Sequence, residues 1–273
     1  MKQLSSIPYS LARILTLLVC LTFSQAAFAE ETAKKTLLVA AASDLKFALD
    51  DLLTGFRADH PEYDVKPTYG SSGKFFSQID NGAPFDVFLS ADVKFATQLI
   101  DKGKAEKDSV FHYAVGHIVV WVPKDSKINV EQLGIQALLD PGIHKIAIAN
   151  PEVAPYGRAA VAALRKLGVY DAVSPKLVLG ENISQTAQFI QSGAADIGII
   201  ALSLALAPTM KDHGRYWSVP LDAFPRMEQA GVILSKAKNP EGATALKEYL
   251  STAKAQAVLK AYGFDLPEPV PAK

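Results

Sequence analysis

The sequence predicts an α/β protein of two lobes, each a mainly parallel sheet flanked by helices. Three observations predict it. Beyond residue 35, short apolar runs alternate with helix-period patterns, the mark of β-α units. The units fall into two clusters with no low-complexity linker, heptads or short-period repeat between them. The segment after about residue 229 is too short to form a domain alone, so it must return to the first cluster.

Thr36 to Ala41 reads as a buried strand, and from Asp44 the residues Leu45, Leu49, Leu52, Leu53 and Phe56 recur at helical spacing until His60-Pro61. Val65 to Tyr69 is the second strand; Gly70-Ser71-Ser72-Gly73 turns it into a helix carrying Phe75, Phe76 and Ile79, which ends at Asn81-Gly82-Ala83-Pro84. Asp86 to Leu89 is the third, followed by a helix with Phe95, Leu99 and Ile100 on one face. The second cluster begins with the strand Ile118 to Val122, a short helix around Glu131 to Leu139, and the strand Lys145 to Ala149. The prolines of Asn150-Pro151 through Ala154-Pro155-Tyr156-Gly157 restrict the turn into the helix of Ala159 to Leu167. Strands at Val178-Leu179 and Asp196 to Ile200, a last strand at Val232 to Leu234 and a helical C-terminal portion complete the chain. This places lobe 1 at residues 30–114 with 229–273 and lobe 2 at 115–228, with hinges near Tyr113 to His117 and Pro225 to Ala230.

The 273 residues are 49% hydrophobic and 21% charged, which excludes disorder and leaves an ordinary folded protein. Lys and Arg together number 28, as do Asp and Glu, so nothing in the charge points to nucleic acid or to an anionic membrane surface. Residues 1–29 read as a signal peptide. Lys2 and Arg13 supply its positive end, Ile14 to Phe23 is an apolar run too short to span a bilayer, and Ala27-Phe28-Ala29 suits cleavage. Val19 before Cys20 argues against a lipoprotein signal. Cleavage removes Lys2, Arg13 and the single cysteine, leaving a net charge near −2 and no thiol, which suits an oxidising compartment outside the cytoplasm.

Each of the first three strands ends in hydroxyl or small residues just before a helix: Ser43, then Ser71 and Ser72, then Ser90 with Ala91. In open α/β sheets that edge binds ligands, and helix amino termini present unpaired N–H groups and a positive dipole end there. Any one serine is explained as well by helix capping. Repetition at three junctions points to an anion. A serine hydrolase is the distant alternative, since Ser72 lies in a tight turn, but the G-x-S-x-G spacing and a marked-out histidine base are missing. The histidines are scattered, with only His112 and His117 near one another, and no zinc-type spacing accompanies them.

Five stretches together resemble one family. They are Ala40-Ala41-Ala42-Ser43-Asp44-Leu45, Gly70-Ser71-Ser72-Gly73, Gly82 through Asp92, Asn150-Pro151 through Gly157, and Tyr262-Gly263-Phe264. In this order they resemble the periplasmic molybdate-binding proteins of ABC transporters, a branch of the two-lobed periplasmic binding protein superfamily. The resemblance implies a non-enzymatic, periplasmic solute-binding protein, expected to be monomeric and to have no cofactor. It would hand molybdate, and tungstate of nearly the same size, to an inner-membrane permease with its ATPase.

The resemblance also implies a site. A tetrahedral oxyanion would sit in the cleft between the lobes, held by neutral donors matching Ser43, Ser72 with Ser71 beside it, Tyr156, and the backbone N–H of Ile183. Such donors at converging helix starts can hold a dianion without a countercharge. The best-known branch carries its tyrosine where this chain has Ala201, and a second branch places it in the turn matching Tyr156. Asp44 stands where that second branch has a neutral amide. Because its carboxylate would repel a dianion, it is expected to contribute its backbone N–H while its side chain points to solvent or along the helix start. A donor-only cavity would disfavour protonated phosphate; were Asp44 to face it, phosphate would become plausible beside sulfate as an alternative ligand.

Overall fold

A computed structural model describes residues 34–268; the signal peptide expected over residues 1–29 lies outside them. The elements, in chain order, are β1 (Lys35–Ala42), α1 (Lys46–Asp59), β2 (Tyr63–Gly70), α2 (Ser72–Asp80), β3 (Val87–Ser90), α3 (Val93–Asp101), β4 (Phe111–Gly116) and β5 (Ile118–Pro123). They continue with α4 (Val130–Leu133), β6 (Ile146–Ala149), α5 (Pro155–Lys166), α6 (Tyr170–Val173), β7 (Leu177–Gly180), α7 (Ile183–Gln191) and β8 (Ile197–Ala201). Last come α8 (Leu202–Ala205), β9 (Gly214–Ser218), β10 (Met227–Ile233), α9 (Pro240–Leu250) and α10 (Ala253–Ala261). None of the described helices is long and apolar enough to cross a membrane.

Two five-stranded sheets form, in the orders β2-β1-β3-β10-β4 and β7-β6-β8-β5-β9. The helical connections give parallel pairs, β1 with β2 and β3 in the first sheet and β6 with β7 and β8 in the second. The other pairs are antiparallel: β10 with β3 and β4, and β5 with β8 and β9. Each sheet is mixed, with four strands running one way and one, β10 in the first and β5 in the second, running against them. Parallel neighbours need a crossover, whereas β10 re-enters the first sheet from the second and simply runs back along β3.

The chain leaves the first sheet at Gly116, enters the second at Ile118, and comes back between Ser218 and Met227. Strands β4 and β9 are additions to the sequence reading, and β10 begins five residues before the expected Val232. In β4 the exposed His112 and the terminal Gly116 break the apolar run, and β9 is a half-exposed edge strand. The expected helix around Glu131 to Leu139 is one α-turn, α4, followed by a 3-10 segment over Gly134–Leu139.

Each helix buries the face its sequence period predicts. In α1, Leu49, Leu52, Leu53 and Phe56 sit on the first sheet against α9 and α10, in a core shared with Leu246, Leu250 and Leu259. The other face of that sheet packs Phe88 and Val232 against Phe75, Ile79 and Leu99 of α2 and α3. The second sheet has a core around Trp121, Ile148 and Ile200 that reaches Ala42, Ala91 and Met227 of the first. The strand ends of the two sheets are therefore packed against one another.

Candidate functional site

Where the strand ends meet, five chain junctions converge. β1 runs into a 3-10 turn at Ser43–Leu45, and β2 ends at Gly70 so that Ser71 stands at the N-cap position of α2, its side chain making no capping bond, and Ser72 is the first helical residue. β3 ends at Ser90, and the Asp92 side chain accepts the Lys94 N–H to cap α3. From the second sheet, Pro155 opens α5 with Tyr156 next, and Asn182 caps α7 by accepting the Gln185 N–H, so that Ile183 is its first residue. First-turn N–H groups have no acceptor within their own helix.

These starts form a narrow cavity of about 10 Å³, room for about one water molecule, and Ser43, Asp44, Ser71, Ser72, Tyr156 and Ile183 all line it. None of the lining residues is Lys, Arg or His. Among the described residues no cluster of three or more His, Cys, Asp or Glu could hold a metal ion. A wider groove nearby, between Asp92 and Arg226, is lined by the Arg158–Asp92 ion pair at 2.8 Å.

The hydroxyls differ in what they have left to give. Ser71 Oγ is buried and has no hydrogen-bond partner. Ser72 Oγ accepts the Ala91 N–H at 3.0 Å, which leaves its proton to donate. Ser43 Oγ donates to Asn182 Oδ1 at 3.1 Å, and the Ser43 carbonyl accepts from Ser184 Oγ at 2.8 Å, so Ser43 fastens one sheet to the other. A second tie is the Gly73 N–H donating to the Val153 carbonyl at 2.9 Å. A Cβ on Gly73 would stand 2.6 Å from that carbonyl oxygen, so the approach needs glycine.

Asp44 departs from expectation. Its side chain points neither to solvent nor along the helix start: the residue is 1% exposed, and Oδ2 accepts from Gln229 Nε2 at 2.7 Å and from the Tyr156 hydroxyl at 3.0 Å. Burial is affordable because these two donors, brought from 185 and 112 residues away, offset the desolvation of the carboxyl. Gly116, at the end of β4, makes room for both, since a Cβ there would collide with the Tyr156 hydroxyl. Asp44 Oδ1 has no hydrogen-bond partner, nor has Gln229 Oε1. Burial pushes the Asp44 carboxyl up to about 6, against the pull of Gln229, Tyr156 and the backbone N–H groups of Asp44 and Leu45. Burial and then the Asp44 charge drive the phenols of Tyr156 and Tyr113 well above their ordinary range, so both stay neutral.

Four contributors were not singled out from sequence. Gln229 is fully buried, and the one available signal was a long amide inside an apolar strand. Asn182, Ser184 and Ser203, whose hydroxyl donates to the Asp44 carbonyl at 2.8 Å, act across the junction of the sheets, a relation that local patterning does not carry.

Residues 37–265 match the family model described as bacterial extracellular solute-binding protein. The chain belongs to that family. Among its relatives in the family, the molybdate-binding protein ModA of Azotobacter vinelandii is 40% identical over 229 residues, 84% of this chain and 89% of that protein. The ModA of Rhodobacter capsulatus is 37% identical over 200 residues, 73% and 77% of the two chains. The solved structure of the Azotobacter vinelandii periplasmic molybdate-binding protein superposes with a TM-score of 0.80 at 33% identity, covering 85% of this chain and all of that one. The solute-binding proteins of this family are not enzymes, and Ser72 is accordingly a cavity-lining hydroxyl rather than a nucleophile.

Proposed function

We propose that this chain captures molybdate, and tungstate alongside it, outside the cytoplasm and delivers it to an inner-membrane ABC permease with its ATPase. The observation that carries the proposal is Ser71 Oγ, a buried hydroxyl without a partner in a cavity built from converging helix starts and free of cationic side chains. A buried donor left unmade is costly, and an oxyanion is the ligand that would satisfy it. In this reading the hydroxyls of Ser71 and Ser72 and the N–H groups of Asp44 and Ile183 bond the oxide oxygens. Ser43 exchanges its bond to Asn182 for one to the anion, and Tyr156 orients Asp44. No residue touches the metal centre itself. The kinship with molybdate-binding proteins supports the choice of anion.

The mechanism is differential affinity. An anion bonded by both sheets favours the conformation in which they meet, and the permease can distinguish that surface from the open one. The lobes are taken as residues 30–114 with 229–273 and 115–228, turning at the two crossings. The protein would act as a monomer in the periplasm after loss of residues 1–29.

Thermal unfolding tests this directly. With molybdate at about 1 mM and a Kd near 1 μM, stability rises by about 4 kcal/mol. For a chain of this size that is a rise in Tm of about 10 °C. Molybdate and tungstate should both produce it and sulfate should not. Because Asp44 supplies an acceptor, hydrogen phosphate is the second reading, and a rise with phosphate alone would replace the ligand while keeping the site.

A further inference from the structure

The polar groups around the cavity offer hydrogens, with one exception. Asp44 Oδ2 is engaged by Gln229 and Tyr156, but Oδ1 is buried without a partner on a residue that lines the cavity. The backbone N–H groups of Asp44 and Leu45 are near enough to influence the carboxyl, yet Oδ1 makes no hydrogen bond of ordinary geometry. If ionised, this oxygen would meet the oxygens of an anion as like charge against like charge, in a site that water does not screen. A single hydrogen between the two oxygens turns that repulsion into a charge-assisted bond.

We propose, building on the reading of the cavity as an oxyanion site, that Asp44 and the captured anion share one proton. Capture at neutral pH then takes up one hydrogen ion from solvent, and Asp44 becomes a specificity-determining residue. The balance is simple: the carboxylate, one solvent proton and the dianion enter, and a complex with an O–H···O bridge results. The unpartnered Oδ1 is the natural seat of the proton, since Oδ2 already accepts two bonds.

The surroundings suit this role. The titratable groups facing Asp44 are the phenols of Tyr156 on α5 and Tyr113 on β4, both neutral. Gln229 on β10 and Ser203 on α8 are neutral as well, and no Lys, Arg or His hydrogen-bonds the carboxyl. With its carboxyl already raised by burial, Asp44 needs only the added field of a dianion to hold a proton at pH 7. A shared proton also discriminates. Sulfate, the conjugate base of a strong acid, gains least from it, the more basic oxygens of molybdate and tungstate gain more, and hydrogen phosphate brings a proton of its own.

Titration calorimetry of the mature protein with molybdate, in buffers of different ionisation enthalpy, reads the proton count directly. Near pH 7.5 the wild type should take up close to one proton per anion, because a carboxyl that titrates at about 6 is almost fully ionised there. Uptake should fall toward zero near pH 5, and Kd should rise about tenfold per pH unit above 6 until the bound complex itself titrates. Asp44→Asn should bind molybdate with no proton uptake and an affinity flat with pH. Wild-type binding whose heat is the same in every buffer at pH 7.5 overturns the inference while leaving molybdate as the ligand. Uptake that persists in Asp44→Asn overturns the assignment to Asp44. Failure of the wild type to bind molybdate overturns the ligand reading, and the proton with it. Should the variant not fold, the wild-type proton count decides alone.

Discussion

Ser71 and Ser72 occupy consecutive positions at one helix start, yet the structure leaves them different work. Ser71 Oγ has no other partner, whereas Ser72 Oγ also holds the Ala91 N–H. Ser71→Ala and Ser72→Ala should each weaken molybdate binding by about 1–3 kcal/mol, the worth of a donor to a charged acceptor. Only Ser72→Ala should also lower the stability of the ligand-free protein, because it strands the Ala91 N–H. Calorimetry with paired thermal melts checks both, and unchanged affinity in the two variants would remove these hydroxyls from the site. Asp44 makes a second prediction at this scale. Its folded titration point, about 6, lies above the 3.8 of an unburied carboxyl, so the folded state holds the proton more tightly. Stability from this group is therefore full below pH 4 and declines as pH rises through 6, by about 3 kcal/mol in all. Asp44→Asn should be more stable than the wild type at pH 8 without ligand and should lack this decline. Parallel denaturation midpoints across pH 4–8 would contradict the buried, raised carboxyl. The hydroxyls were legible in the sequence because Ser recurs at three successive strand-to-helix junctions, although capping alone would explain any one of them. The orientation of Asp44 was not, because its partner Gln229 is 185 residues away.

At the scale of elements, the cavity depends on how closely the start of α2 approaches the loop before α5. Gly73 N–H donates to the Val153 carbonyl there, with no space for a side chain. Gly73→Ala should leave both sheets intact yet hold them apart, weakening binding by about 1–3 kcal/mol through overpacking. Small-angle scattering with saturating molybdate should then report a larger radius of gyration than for the wild type, and equal radii with equal affinities would show that the loop yields. The elements themselves were largely readable: β1, β3, β6 and β8 are short apolar runs, the more polar β2 closes at Gly70, and α1 repeats its leucines at helical spacing. What escaped was β4, β9 and the first half of β10. Their identity as strands is set by a neighbour on the sheet rather than by their own pattern, as Gln229 opposite Ala114 illustrates.

For the whole molecule, the cavity is lined by segments from either side of the first chain crossing, and Gln229, which holds the Asp44 carboxyl, arrives only after the second. The arrangement of two α/β halves and the common direction of most strands followed from composition and order, while the one reversed strand of each sheet, β10 and β5, showed only in the pairing. A feature of the helix starts reaches further. Ile183 faces the cavity as the first residue of α7, where what it has to offer is main-chain N–H rather than side chain. A contribution of that kind is inherited through the shape of the backbone and not through the amino-acid alphabet. Descendants of this chain can respell such positions with any side chain that still packs against the core, so side-chain scanning will undercount the site, and distant relatives can preserve its chemistry under letters that no longer match.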